Sequence, residues 1–323
     1  MTPIIKPPAL RPGDLVQVAA LSSALETEYL EDYRRGVSEV EALGFRVEAA
    51  PLTDVAKAYW WAAAPPADVG RELTELFLDP DVKAIWALTG GRFTLSFLDA
   101  LDYDAIAANP KPLVGMSDID VLNMAIHSRT GLVTFHADNV AFGTSDWNTL
   151  SETDHARQAE AYRRVLTSIE PIGTLPALTT WETWRSGRAE GRLIGGMLNR
   201  LIKLQASPHH FAPERFDGAI LFFEDYNTPS INIWNDLQVL RLGGVFERIA
   251  GLLVGPTEGI SILEGTTQSF RDVVLDAVGE RDIPVLANMN FGHSGPNTPL
   301  PLGVRAAVDA DARTVALVEG SVS

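Results

Sequence analysis

The chain has 323 residues, enough for two domains of ordinary size, and with 46% hydrophobic residues each can bury a core of its own. Against 42 Asp and Glu stand 26 Lys and Arg, a formal charge of −16 that argues against polyanionic partners: DNA, RNA and anionic membrane surfaces. Cysteine is absent, which removes disulfides, cysteine nucleophiles and thiolate metal sites together and leaves serine, threonine, lysine or a carboxylate as possible nucleophile.

The opening residues MTPIIKPPALRPGDLVQVAA hold prolines where a signal peptide needs an unbroken apolar stretch, and no run approaches the ~18 apolar residues of a membrane span. A cytoplasmic protein is expected. Leu15 to Ala20 reads as the first strand; helical spacing follows through Tyr29, Tyr33, Val37 and Val40 and ends at Gly44, a C-terminal cap. Phe45 to Ala49 is the second strand, Leu73 to Leu78 lies in a helix, and Ala84 to Leu88 is a buried strand followed by the turn Gly90-Gly91-Arg92. This alternation predicts an α/β layer fold with a largely parallel sheet.

Leu113 to Gly115 continues it and closes on Gly115-Met116-Ser117-Asp118 before a helix carrying Val121, Met124, Ala125 and His127. A strand, a tight turn and a helix present a serine hydroxyl at a sheet edge, although most serines in such turns only cap the helix. The G-x-S-x-G elbow is half met, since Ile119 stands in place of the second glycine. Gly90-Gly91 lacks both the dinucleotide and the Walker glycine patterns, so it reads as a plain turn or as a source of an oxyanion-stabilising N–H from Gly91 beside that of Asp118. Leu132 to Phe135 makes a further strand, and His136 at its end is a possible substrate contact.

Glu152 to Ser168 is polar and helical, which ends a first domain at about residue 165. The turn-rich segment 166–189 reads as a connection, in which Trp181 and Trp184 either stack on a flat ligand group or pack between domains. From 190 to 323 the strand-like runs are Leu221 to Phe223, Ile249 to Val254, Val285 to Asn288, Val304 to Val308 and Val315 to Val318. Helical stretches near 232 to 242 and 267 to 279 separate some of them, giving a second α/β domain with a mixed sheet. Glu224 ends an apolar run, where an acidic residue often only marks the exit to solvent. His293 lies in FGHSGPNTPLPLG, an irregular loop after a strand, where α/β proteins place functional groups. Of the other histidines, His127 reads as packed in its helix, His155 as solvated, and His209 and His210 lack a spaced third ligand for a metal.

Six segments in order, GDLVQVAALSS, ALTGGRFTLSFLDALDYDAIAANPKPLVGMSDIDVLNMAI, TGLVTF, GRAEGRLIGGMLNRL, AILFFED and GHSGPNTPLPLGV, resemble the LD-carboxypeptidase family of serine peptidases, most closely the branch related to microcin C immunity. The resemblance implies a Rossmann-like N-terminal parallel-sheet domain, a C-terminal swivelling β-rich α/β domain and a site where they meet. It carries the family's G-[YF]-S-D serine onto Ser117, its L-F-x-E-[DE] glutamate onto Glu224 and its G/S-H histidine onto His293. Relatives are commonly dimers, so a homodimer is implied. The chain departs from the family at Met116 (usually aromatic), Asp120 (commonly Thr), His136-Ala137-Asp138 (often a Gly-Pro pair) and Met197 (Asn of G-G-N-L).

The resulting expectation is hydrolysis of an amide, with no metal or cofactor: Ser117 attacks, His293 moves the proton, Glu224 fixes the imidazole, and the N–H groups of Gly91 and Asp118 hold the oxyanion. Arg92, His136, Trp181 and Trp184 are the candidate substrate contacts. The substrate is a small molecule or short peptide, either an aminoacyl or peptidyl nucleotide or a murein tetrapeptide losing D-alanine. A catalytically silent binding protein and an ordinary α/β ester hydrolase are the rivals.

Overall fold

The computed structural model describes residues 3–53, 57–256, 259–262 and 264–323. In chain order the strands are β1 (Leu15–Ala19), β2 (Arg46–Ala49), β3 (Val82–Ala87), β4 (Leu113–Gly115), β5 (Phe135–His136), β6 (Gly173–Thr174), β7 (Glu182–Arg185), β8 (Arg188–Met197), β9 (Ile220–Glu224), β10 (Thr228–Pro229), β11 (Gly251–Val254), β12 (Ile260–Ser261), β13 (Val285–Ala287), β14 (Leu300–Pro301), β15 (Arg305–Asp309) and β16 (Thr314–Leu317). The α-helices are α1 (Leu30–Ala42), α2 (Pro66–Leu78), α3 (Tyr103–Ala108), α4 (Ile119–Thr130), α5 (Glu152–Thr167), α6 (Leu198–Gln205), α7 (Ser230–Leu242) and α8 (Phe270–Val278).

Among the described residues, one sheet runs β14-β5-β4-β3-β1-β2 and is parallel except for β14, which returns from the far end of the chain to pair antiparallel with β5. Its central strand β3 is covered on both faces, with Ala84, Ile85, Trp86 and Ala87 fully buried, and so reads as a continuous apolar run rather than an alternation. The second sheet runs β6-β16-β15-β8-β9-β11-β13-β7 and is mixed: β8, β9, β11 and β13 are parallel, and the flanking strands antiparallel.

The segment 166–189 is not a bare connection. It supplies β6, paired with β16 at one edge of the second sheet, and β7, paired with β13 at the other. Nor is the strand after α4 where the apolar run suggested: Phe135 and His136 pair with Val114 and Gly115, whereas Leu132 makes only an isolated bridge to Ile5.

Helix α4 is buried on nearly every side, because it carries the first sheet's layer on one face and meets α6 and β8 of the second unit on the other. Its twelve residues end at Gly131, whose φ of +80° closes the helix. No helix among the described residues is long and apolar enough to cross a membrane.

Candidate active site

Four segments converge at the carboxyl ends of parallel strands, the end at which open α/β sheets bind ligands. Gly90 and Gly91 follow β3, Ser117 follows β4, Glu224 is the last residue of β9, and His293 lies in the loop after β13.

Ser117 has φ +70°, the left-handed region that costs a residue with a Cβ about 1–2 kcal/mol. Side chains hold the turn in that state. Asn139 accepts from the Met116 N–H at 3.2 Å, Asn123 Nδ2 donates to Gly115 O at 2.8 Å, and the Asp120 N–H donates to Ser117 O at 3.1 Å. Helix α4 then begins at Ile119, so its first turn lies directly behind the hydroxyl.

The glycine turn lies against this serine. A Cβ placed on Gly90 would stand 2.8 Å from both Cβ and Oγ of Ser117. No acceptor among the described residues takes the N–H of Gly91 or of Asp118. The Asp118 carboxylate, almost wholly buried, accepts from the Ser22 hydroxyl at 2.8 Å and from the N–H groups of Phe93 and Thr94, and so ties the 90–94 turn to the serine turn. Arg200, on α6, completes the arrangement: its Nε is 3.1 Å from Asp118 Oδ1 and its Nη2 donates to Gly91 O at 2.9 Å. Arg200 is buried and joins the two units at the site. It lies within GRLIGGMLNRL, but an arginine on an amphipathic helix ordinarily reads as a solvated face, so the sequence alone does not single it out.

Glu224 and His293 are in direct contact, Oε2 to Nδ1 at 2.8 Å, and Glu224 is 1% exposed. Burial pushes the Glu224 carboxyl upward, but the charge and hydrogen bond of His293, with the charge of His136, outweigh it and leave its pKa below the usual range. For His293, burial acts to lower the pKa, and the Glu224 charge and hydrogen bond outweigh it, holding the imidazole above its ordinary value. Close approach of the His293 loop needs Gly292, where φ is +107° and a Cβ would meet the Glu224 side chain at 2.6 to 2.8 Å. Tyr226 stacks on the His293 ring with centroids 5.2 Å apart and planes 8° apart, and nothing in its sequence context signalled that contact. Met197 links the serine to this end of the second sheet: Ser117 Oγ is 4.0 Å from Met197 Sδ, and Met197 is in register with Glu224 across β8 and β9. A cavity of about 140 Å³ beside His293 is lined by Met116, Phe142, Gly292 and Pro296.

The remaining candidates fall elsewhere. Arg92 is exposed at the tip of the glycine turn, with Lys203 close enough to feel its charge. His136 is not an accessible contact: it is fully buried, its Nδ1 lies 2.9 and 3.1 Å from the two oxygens of Asp120, and Phe222 and Phe291 flank its ring. Asp120 and His136, two of the departures from the family pattern, are thus partners. With Glu224 they are the described residues whose atoms, within 4.8 Å of one another, come close enough to share an ion, but Asp120 already serves His136 Nδ1 and the Met197 N–H at 2.9 Å.

Trp181 and Trp184 do not offer stacking faces either. Both are buried, Trp181 donating to Asn290 Oδ1 at 2.7 Å and Trp184 packing edge-on to Phe270. His155 is paired with Glu39 at 2.8 Å rather than free in solvent. His127 is buried, and burial lowers its pKa to about 4.

Known proteins share the fold that carries these residues. Residues 16–137 match the family model of the LD-carboxypeptidase N-terminal domain, and residues 190–308 that of the LD-carboxypeptidase C-terminal domain. The chain is 28% identical to the microcin C7 self-immunity protein MccF of Escherichia coli, over 99% of this chain and 97% of that one. It is 29% identical to a probable murein peptide carboxypeptidase of Bacillus subtilis, over 98% and 95%. The solved structure of MccF in complex with aspartyl sulfamoyl adenosine superposes with a TM-score of 0.88 at 26% identity, covering 99% of this chain and 100% of that one.

Proposed function

The chain belongs to the LD-carboxypeptidase family of serine peptidases, and on that premise we propose that it hydrolyses an amide through Ser117, His293 and Glu224. The observation that carries the reading is the 2.8 Å contact of the buried Glu224 with His293, together with a serine held in the left-handed conformation of a nucleophile turn.

In this mechanism the Ser117 hydroxyl attacks the carbonyl carbon while His293 Nε2 takes its proton, and Glu224 holds Nδ1–H and stabilises the imidazolium. The N–H groups of Gly91 and Asp118 receive the oxyanion; donors fixed in advance are worth most there because they need no reorganisation as charge develops. Collapse breaks the C–N bond, and His293 returns the proton to the leaving amine. Water, deprotonated by His293, then attacks the acyl-enzyme, and the serine leaves with its proton restored. Asp118 and Arg200 fix the turn that supplies one of the donors.

The substrate we favour is an aminoacyl or peptidyl nucleotide, cut at the amide next to the nucleotide. The pattern of motifs and the likeness to MccF, whose structure holds aspartyl sulfamoyl adenosine, support it. The second reading, release of D-alanine from a murein tetrapeptide, is supported by the similarity to the Bacillus subtilis protein. In either case we place the enzyme in the cytoplasm as a homodimer, as the resemblance implies.

Mass-spectrometric analysis of wild type and Ser117→Ala, each incubated with a murein L,D-tetrapeptide and with an aspartyl-adenylate amide analogue, tests both readings. Release of the aspartyl group by wild type alone supports the first, and release of D-alanine alone the second. Equal turnover by Ser117→Ala would remove the serine mechanism.

A further inference from the structure

Two polar atoms near the candidate triad have no partner: His136 Nε2 and Glu224 Oε1, both within side chains at most 1% exposed. Burying an unpaired donor or acceptor costs ~1–3 kcal/mol, so two such atoms in one cluster call for an account. They are chemically complementary once Nε2 carries a proton, and Asp120, His136 and Glu224 present atoms within 4.8 Å of one another. The other half of each group is already assigned. His136 Nδ1 faces Asp120 at 2.9 Å, and Glu224 Oε2 faces His293 Nδ1 at 2.8 Å.

We propose that His136 is a positioning residue of the peptidase, an imidazolium that gives Nδ1–H to Asp120 and Nε2–H to Glu224 Oε1, directly or across one water, and so fixes Glu224 for His293. The inference rests on the assignment of Glu224 and His293 as catalytic partners. Its physical basis is charge. Two buried carboxylates facing one another cannot both stay ionised without a cation between them, and the imidazolium supplies it.

The groups that face His136 are Asp120 from α4, Glu224 from β9 and, further off, His293; the rest of its wall is Phe222 and Phe291. Burial acts to lower the His136 pKa, and the charges of Asp120 and Glu224 outweigh it and raise it above the ordinary value. The chain is thereby continuous from Asp120 through His136 and Glu224 to His293. Asp120 is further oriented by the Met197 N–H, and a Cβ on Gly196 would press on its carboxyl at 2.8 Å.

Nitrogen-15 NMR of the intact protein labelled in its histidine rings, with the His136 signals assigned by their loss in His136→Gln, tests this. At about pH 7.5, well above the ordinary histidine pKa, both His136 nitrogens should carry protons. A bare Nε2, or a nitrogen bound to a metal, overturns the proposal. Removing the cation should also raise the His293 titration midpoint by about 0.5 unit or more in His136→Gln, because Asp120 and Glu224 are left unneutralised. A structural role alone would leave that midpoint in place, and an unmoved midpoint rejects the positioning role. Asp120→Asn, which keeps the imidazole and its volume, replaces the glutamine variant if that one does not fold, and should leave His136 neutral at the same pH. These signals can be read in Ser117→Ala, so failure to find a cleaved substrate would count against the proposed function and not against this inference.

Discussion

Arg200 reaches from the start of α6 to Asp118, Nε to Oδ1 at 3.1 Å, while its Nη2 holds the Gly91 carbonyl at 2.9 Å. One buried cation from the second unit therefore fixes both turns of the first that flank Ser117. Arg200→Met keeps most of the volume but leaves the Asp118 carboxylate buried without its cation, a loss of roughly 3–5 kcal/mol for pairs of this kind. We expect a lower denaturant midpoint and a fall in kcat with little change in KM, because the substrate's own contacts stay while the Gly91 turn loosens. Urea titration and steady-state kinetics measure the two effects; a kcat equal to wild type would mean that the turn needs no support from α6.

The strained serine separates stability from activity. Glycine adopts φ +70° freely and alanine does not, so Ser117→Gly should be more stable than Ser117→Ala by about 1 kcal/mol, with both inactive. Equilibrium unfolding of the two variants gives the difference. Equal stability would indicate that the left-handed turn stores no strain.

Much of this site is legible in the sequence and some of it is not, for reasons that differ by residue. The apolar runs of β3, β4 and β9, each closing on a small or polar residue, mark Gly90, Ser117 and Glu224 directly, because buried parallel strands are uniformly hydrophobic and their ends are where function gathers. The strands β6 and β7 are hidden, since they are short, lie in a segment rich in turn residues, and are defined only by partners far along the chain, β16 and β13. Arg200 is hidden for a related reason: its burial depends on Asp118 in the other unit. Trp181 and Trp184 admit two readings in the sequence because composition cannot say which face of an aromatic ring is covered. Asp120 and His136 could be seen only as two separate departures, and the contact between them needs the fold.

Trp181 shows what its burial does. Its Nε1–H serves Asn290, whose Nδ2 donates to Thr298 Oγ1 and whose carbonyl accepts from the Thr298 N–H at 2.7 Å, so the indole braces the base of the loop carrying His293. Trp181→Phe removes one hydrogen bond while leaving the Leu178 N–H on the same acceptor, and should cost about 1 kcal/mol of stability with substrate KM unchanged. Thermal unfolding and KM together decide it. A large rise in KM would return the ring to the substrate.

The pH profile follows from His293. As the proposed base it must be neutral, and its pKa lies above the ordinary value because the Glu224 charge and hydrogen bond outweigh the opposing effect of burial. The acidic limb of kcat/KM should therefore fall above about pH 6.5, with activity lost as pH drops through the folded-state value. Glu224→Gln removes the charge that raises it. The limb should move to lower pH while the plateau falls by about 10⁴-fold, the scale of losing the orienting carboxylate in such triads. A limb that stays in place in Glu224→Gln would show that another group sets it.

Gly90 offers the narrowest test of the glycine turn, because its φ is outside the left-handed region and alanine there meets no backbone penalty. What alanine meets is Ser117: the new Cβ would lie 2.8 Å from both Cβ and Oγ, closer than real contacts allow, so either the turn or the hydroxyl must shift. The hydroxyl belongs to a turn pinned by Asn139 and Asn123, and the glycine turn to one pinned by Asp118 and Arg200, so neither side yields without loss. A displacement of about 1 Å at reacting atoms costs on the order of 10²-fold in rate. Gly90→Ala should therefore keep its fold and its KM and lose kcat by about that factor, as circular dichroism and kinetics on the same preparation would show. Wild-type kcat in a folded Gly90→Ala protein would mean that the contact between the two turns is not what sets the geometry of attack.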